Sequence, residues 1–471
     1  MMQGQPGASP SGDGNSLRTG LKSRHLTMMS IAGVIGGALF VGSGSVIRSA
    51  GPAAVLAYVA GGLLVVAIMR MLGEMATSSP DTGSFSTYAE RAIGRWAGFT
   101  IGWLYWWFWA ILMAWEAFIA GTILNLWFPA ISVEAFSLAL SVALAAVNLF
   151  GVRHYGEFEF WFALTKVLAI VFFLAIAGLA VTHLWPLGEV SGTTNLTARG
   201  GFMPNGFGAV VVSMLGVMFA FLGVEIVTIA ASESENPAKE IVKTSNSVVW
   251  RVCLFYCGSI LLIVCLVPWD DPLLGQPGYG SYRRTLELLG VPHAEFLMNF
   301  VVLTSVSSCL ISAHYTSSRM LYSLAQRGDA PRLFKAVSPQ TGVPLPAVLA
   351  SSCITILIAL VCFVGLAETQ EVLDPLMNTT GMIAMLVYLV IAFSQLRMRR
   401  KLDAAGGPVA LRMWFFPWLT YAVIAFIVGS LVTMAFVDEY RLLVLSTGAA
   451  AVIVVAIGIV LDRRTARQSG L

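Results

Sequence analysis

The chain has 471 residues, of which 57% are hydrophobic and 11% charged, with a mean hydropathy of +0.80. Soluble domains carry about 25% charged residues, so this composition excludes a water-soluble globular protein and specifies an integral membrane one. The net charge of +3 reflects an uneven placement of Lys and Arg among the loops and argues for no nucleic-acid partner.

Residues 1–20 are rich in Gly, Ser and Pro and are expected to form a disordered cytoplasmic tail. Neither an apolar h-region nor a cleavage site follows Met1, so no signal peptide is expected. Apolar stretches of about 20 residues then predict about twelve spans. They lie near residues 27–47, 54–75, 98–124, 132–150, 158–182, 207–232, 248–268, 294–325, 344–364, 370–393, 414–434 and 442–462. Span 8 is long because its polar end, residues 319–326, is expected to run on into the cytoplasm. Lys and Arg crowd the segment before span 1, alternate loops thereafter and the segment after span 12. By the positive-inside rule both termini are cytoplasmic.

Span 1 contains Ser30-Ile-Ala-Gly-Val-Ile-Gly-Gly-Ala-Leu-Phe-Val-Gly-Ser-Gly44, apolar but weakened as a helix by Gly33, Gly36 and Gly37. Within a bilayer, broken helices persist only beside a protein-lined cavity, which makes this pattern a sign of a mid-membrane binding site. Close helix packing is the alternative use of such glycines. In span 2, Arg70 and Glu74 have i,i+4 spacing and are expected to form an anchoring salt bridge. Span 3 carries Glu116 and span 5 carries Lys166, while Glu225 lies beyond the weakest part of span 6. Intramembrane ionisable groups are costly, so these three are functional candidates, with structural ion pairs as the competing role. A lysine in low dielectric has a tunable pKa, which suits a proton carrier or a cation surrogate. Glu157 and Glu159 border span 5 and are expected at the interface, in a gating or structural role.

Span 6 supplies an internal repeat. Ser213-Met-Leu-Gly-Val aligns with Ser30-Ile-Ala-Gly-Val, pairing span 1 with span 6 across an odd number of spans, as inverted repeats require. Span 8 contains His314; histidine as a residue type titrates near neutral pH, which makes it a proton-relay candidate or a packing histidine. Its Ser307, Ser308 and Ser312 offer hydroxyls to Lys166 or to an ion, or bond back to their own helix. The six cysteines show no CxxC spacing and read as small buried hydrophobes, so neither a metal nor a disulfide is expected. No HExxH spacing, nucleotide fingerprint or nucleophile–base set marks an enzyme.

Several stretches carry a family resemblance: Leu72-Gly-Glu-Met, Gly156-Glu-Phe-Glu-Phe-Trp-Phe-Ala, Glu233-Ser-Glu-Asn-Pro and Ser318-Arg-Met-Leu-Tyr. With them the chain resembles the amino acid–polyamine–organocation superfamily, within it the AAT-type bacterial amino-acid permeases. Gly102-Trp-Leu-Tyr-Trp-Trp-Phe-Trp, Ala163-Leu-Thr-Lys-Val-Leu-Ala-Ile and Glu225-Ile-Val-Thr-Ile-Ala-Ala are most similar to the 4-aminobutyrate (GABA) permeases. The resemblance implies an all-α, LeuT-like fold, a five-plus-five inverted repeat with helices 1 and 6 broken. Residues 21–393 would form the transport core, and 394–471 two peripheral spans with a short tail.

The resemblance also implies proton-coupled import of a small amino acid across the bacterial cytoplasmic membrane, with no cofactor. It places the breaks at residues 35–39 and 219–223 and makes Lys166 the residue that stands in for a sodium ion. Glu116 and Glu225 match the family's membrane glutamates, and Glu233 the first acid of its motif after helix 6. The substrate carboxylate is expected at the amides of Gly36, Gly37 and Ala38, where a helix N-terminus favours an anion. Its ammonium is expected near the carbonyls of Val34, Ile35 and Phe219, or farther out at Glu116 or Glu225, with Phe221 as an aromatic cover. Lys166, Ser308, Ser312 and His314 are the proton-coupling candidates, and Glu157 and Glu233 the gating or structural ones. Ile311 stands where the family commonly has Asn, and His314 replaces a usually apolar residue, so β-alanine, 5-aminovalerate and proline stay open as substrates. Exchange instead of symport, a substrate sensor and a passive channel are the other readings; the oligomeric state is left open.

Overall fold

The computed structural model describes residues 23–32, 35–81, 83–149, 152–188, 192–232, 234, 236–276, 278–366, 369–406 and 411–468. The expected tail at 1–20, Val34 and Glu233 lie outside them. The described residues are helical, with turns and short connections and no strand among them. Ten helical runs are apolar and long enough to cross a membrane. One of them, Gly37–Ser78, holds the second half of span 1 together with span 2, and Val133–Val147 is a shorter apolar helix at span 4. The chain is thus a multi-pass membrane protein with the expected complement of about twelve spans.

In chain order the helices are α1 (Ser23–Ala32), α2 (Gly37–Phe40), α3 (Ser43–Ala50), α4 (Ala54–Ser78), α5 (Ser84–Ala92) and α6 (Arg95–Trp127). Then come α7 (Val133–Val147), α8 (Val152–Val181), α9 (Gly206–Phe221), α10 (Ile226–Ser232), α11 (Pro237–Arg251) and α12 (Ser259–Leu266). The last are α13 (Ser281–Leu288), α14 (Ala294–Gln326), α15 (Leu345–Phe363), α16 (Thr369–Ala405), α17 (Trp418–Ala435) and α18 (Asp438–Gln468). A π-helical segment, Val252–Gly258, joins α11 to α12. The 33-residue α6 and α14 pack along each other and form the spine of the molecule. At 1.5 Å per residue each is about 50 Å long, so both outreach a bilayer, as expected for span 8.

Both expected interruptions occur, the first inside its predicted range and the second overlapping the end of its own. In span 1, Ile35 and Gly36 are non-helical, with Gly36 extended (φ −112°, ψ −160°), and α2 resumes at Gly37, so the break occupies the first part of the expected 35–39. In span 6, α9 runs through Phe221; Leu222 is extended (ψ 140°), Gly223 has φ 106°, and α10 starts at Ile226. That lies a turn beyond the expected start at 219. Helix propensity marks where a helix is weak, but a break settles where other groups can take the freed backbone. The Ser305 hydroxyl donates to the Ile35 carbonyl at 2.6 Å, and Tyr256 and Tyr388 hydroxyls reach the Ala220 and Phe221 carbonyls at 3.3 and 3.5 Å. Gly223 sits where only glycine is free of strain.

The expected Arg70–Glu74 salt bridge does not form. Arg70 turns outward to the Arg412 carbonyl, the Asn246 side chain and the face of Trp414. Glu74 turns inward to Arg399 of α16 at 2.7 Å, the Met413 amide at 2.6 Å and Gln395 at 3.3 Å. This buried cluster fastens α4 to α16 and to the segment leading into α17. Farther out, the apolar stretch of α18 is only 11% buried, against 89% for residues 206–232, so the last helix lies at the edge of the bundle.

Candidate functional site

The first interruption delivers a backbone amide to a buried acid. Gly37 N donates to Glu116 Oε1 and Oε2 at 3.3 and 3.2 Å, so the carboxylate straddles the first amide of α2. Approach this close requires Gly36 to lack a side chain, because a β-carbon there would lie 2.2 Å from Glu116 Oε1. Gly36, Gly37, Ala38 and Ile35 are all buried. Trp115 lies over Gly37 and meets Phe219 edge-to-face with centroids 5.1 Å apart. Phe221 packs on Tyr58 and Tyr256, with centroids at 6.2 and 4.5 Å. The aromatic ring at Gly37 is therefore that of Trp115, on which Phe219 packs.

The second interruption repeats the device locally. Glu225 Oε1 accepts from the Gly223 amide at 2.9 Å and from the Tyr105 hydroxyl at 2.7 Å. Its Oε2 is buried and has no hydrogen-bond partner among the described residues. Arg251, also buried, is the cation within electrostatic reach of Glu225, where α11 passes into the π-helical segment. Each break thus carries one carboxylate on a backbone amide.

A third cluster ties α8 to α14. Lys166 Nζ donates to Ser308 Oγ at 2.7 Å; Ser308 Oγ donates to Glu159 Oε2 at 2.7 Å, and Ser312 Oγ to the same oxygen at 3.2 Å. Glu159 is fully buried, which corrects its expected place at the interface. Helical phase explains the difference, since residues seven apart share a face and Glu159 therefore points where Lys166 points. Glu157 is on the other side of the helix, half exposed and paired with Arg24 and His25. His314 stands apart from this cluster. Its Nδ1 donates to the Leu310 carbonyl at 2.8 Å, and its Nε2 is buried without a hydrogen-bond partner among the described residues. Among the described residues no group of His, Cys, Asp and Glu is placed to hold a metal ion.

A model of the amino acid permease family matches residues 25–463. The chain belongs to the amino acid permease family. It is 55% identical to the probable GABA permease of Pseudomonas aeruginosa, covering 96% of this chain and 94% of that protein. It is 54% identical to the gamma-aminobutyric acid permease of Escherichia coli, covering 93% of each. With the gamma-aminobutyric acid permease of Bacillus subtilis it shares 48% identity, over 96% of this chain and 95% of that one.

The permease holds site-facing residues that the sequence reasoning passed over. Ser305 is in phase with Ser308 and Ser312, at i, i+3 and i+7, a stripe that periodicity alone would have revealed. Arg251 is an ionisable residue inside an apolar run and escaped notice because it falls near the predicted start of span 7. Tyr105 sits in the aromatic run of residues 102–109, and nothing in its spacing singles out the hydroxyl that meets Glu225.

Proposed function

We propose that the permease imports 4-aminobutyrate across the bacterial cytoplasmic membrane, coupled to proton entry, by alternating access with both termini in the cytoplasm. The GABA-permease relatives at 48–55% identity support the substrate. The observation that carries the mechanism is the Glu116 carboxylate on the Gly37 amide. An incoming zwitterion exchanges with that contact: its carboxylate takes the amide, and its ammonium takes the Glu116 carboxylate so released. Charge is conserved at every step, which matters in a low-dielectric site. In 4-aminobutyrate the ammonium stands several carbons from the carboxylate, and Glu116 and Glu225 are the acids bonded to the backbone at the two breaks that can meet it. Trp115 and Phe219 cover the methylene chain, in place of Phe221.

Proton coupling falls to Lys166. The neutral amine forms when the proton leaves, and the loss of its charge loosens the hydrogen bond that holds α8 on α14 through Ser308. The test is uptake of labelled 4-aminobutyrate into liposomes with and without an inward proton gradient. Uphill uptake that collapses with a protonophore, and is abolished by Lys166→Ala, is the expected result. Undiminished accumulation by Lys166→Ala overturns the coupling role. Uptake only against preloaded amino acid makes the permease an exchanger, and an amino-acid panel without a 4-aminobutyrate response reassigns the substrate.

A further inference from the structure

Two motifs stay outside the function proposed above: Arg24-His25, before span 1, and Gly156-Glu-Phe-Glu, at the start of span 5. The fold packs α1 against α8 and brings them together. His25 is fully buried, and its ring fills the space a side chain at position 156 would need: a β-carbon on Gly156 would lie 2.5 Å from Nδ1. Its Nε2 is 3.3 Å from Glu157 Oε1, an oxygen that also accepts from Arg24. Glu157 keeps 37% of its side chain exposed. Gly156 and Glu159 are three residues apart on one face of α8, about 4.5 Å along its axis. Lys166 follows on that face about 10 Å farther in. The side chains close this axial separation, and Ser308 Oγ bridges their ends, 2.7 Å from Lys166 Nζ and 2.7 Å from Glu159 Oε2. Glu159 Oε1 is buried and has no hydrogen-bond partner among the described residues.

We propose that Glu159 and His25 form a proton-release path that leads from Lys166 to the cytoplasmic surface at Glu157. The proposal rests on the proton-coupled reading above. In the first step the Lys166 ammonium gives an N–H proton to Ser308 Oγ while Ser308 gives its hydroxyl proton to Glu159 Oε2. The products are a neutral amine, an unchanged hydroxyl and a carboxylic acid. One positive and one negative charge become two neutral groups, so no net charge is created in the apolar interior. Glu159 then passes its proton outward to a ring nitrogen of His25, which releases one to water at Glu157. Arg24 and His25 of α1 face this end of the path. Glu116 of α6 and Cys309 of α14 lie at the Lys166 end. On the α13 side, Phe173 of α8 meets Tyr282.

The test uses purified permease in liposomes that contain a pH dye. Labelled 4-aminobutyrate is followed as gradient-driven accumulation and as exchange against preloaded 4-aminobutyrate. Glu159→Gln is expected to lower the ratio of accumulation to exchange roughly tenfold or more, with loss of substrate-triggered internal acidification. Glu159→Asp restores part of it, and His25→Gln slows the acidification. Wild-type protein that takes up 4-aminobutyrate without acidification removes the proton-coupled reading itself, and this path with it. Wild-type acidification alongside unchanged ratios in Glu159→Gln and His25→Gln overturns the release path alone. Equal loss of both activities in Glu159→Gln, without rescue by Asp, makes Glu159 a packing group and also overturns it.

Discussion

Glu74 and Glu116 are both glutamates buried within membrane spans, yet their surroundings differ in kind. Glu74 is saturated: a guanidinium, a backbone amide and a side-chain amide fill its two oxygens. Glu116 is held by a backbone amide and the Cys309 thiol, both neutral donors, and Glu225 leaves an oxygen without a partner among the described residues. A carboxylate closed by a cation holds helices together, because removing either partner strands a charge. One held only by neutral donors keeps its capacity for a cation that comes and goes. Burial of an acid in a membrane therefore does not by itself separate anchor from site; the partner set does.

The sharpest way to break this contrast is to open the anchor. Arg399→Met leaves Glu74 buried without its cation and is predicted to cost about 3–5 kcal/mol of stability. Thermal unfolding in detergent would show it, while uptake per folded molecule stays near wild type. A next, smaller effect is expected at the break. Glu116→Gln keeps size but removes charge, and should weaken 4-aminobutyrate binding by about 1.5–3 kcal/mol, roughly 10- to 150-fold, without a comparable loss of stability. A stability loss matching that of Arg399→Met would erase the distinction between anchor and site. Ser305→Ala strips the Ile35 carbonyl of its hydroxyl partner and is predicted to cost about 1–3 kcal/mol, read as a lowered melting temperature.

The smallest effect is expected outside the bilayer, at Asp329, which pairs with Arg95 at 2.9 Å. Burial pushes its carboxyl above the ordinary value, with Arg95 and Arg327 opposing. A raised folded value means the fold prefers the protonated acid. The favourable contribution is thus full below the unfolded carboxyl pKa and lost as pH rises through the folded one. Wild type should gain stability relative to Asp329→Asn between pH 7 and pH 4, by about 1 kcal/mol or less. Melting curves across that range check the sign.

Much of the molecule is already visible in the chain. Runs of about 20 apolar residues specify the spans, because length and hydropathy alone satisfy a bilayer. The glycines of span 1 and the aligned Ser-x-x-Gly-Val of span 6 announce two broken helices, and Glu116, Lys166 and Glu225 declare themselves as charges where charge is expensive. Partners are another matter. Glu74 has Arg70 four residues away and bonds Arg399 instead. Glu159 looks like a neighbour of Glu157 but lies on the opposite face, beside Ser308, 149 positions later in the chain.

Sequence by itself determined that the chain is helical and membrane-embedded, which spans are weak, and which residues carry charge into the apolar interior. These are local properties, fixed by composition and period. Only the tertiary structure decided where each helix breaks, which carboxylate meets a free amide and which meets a guanidinium. A break stays where groups from distant helices take its backbone, and a buried charge turns toward whatever donor the packing brings within about 3 Å.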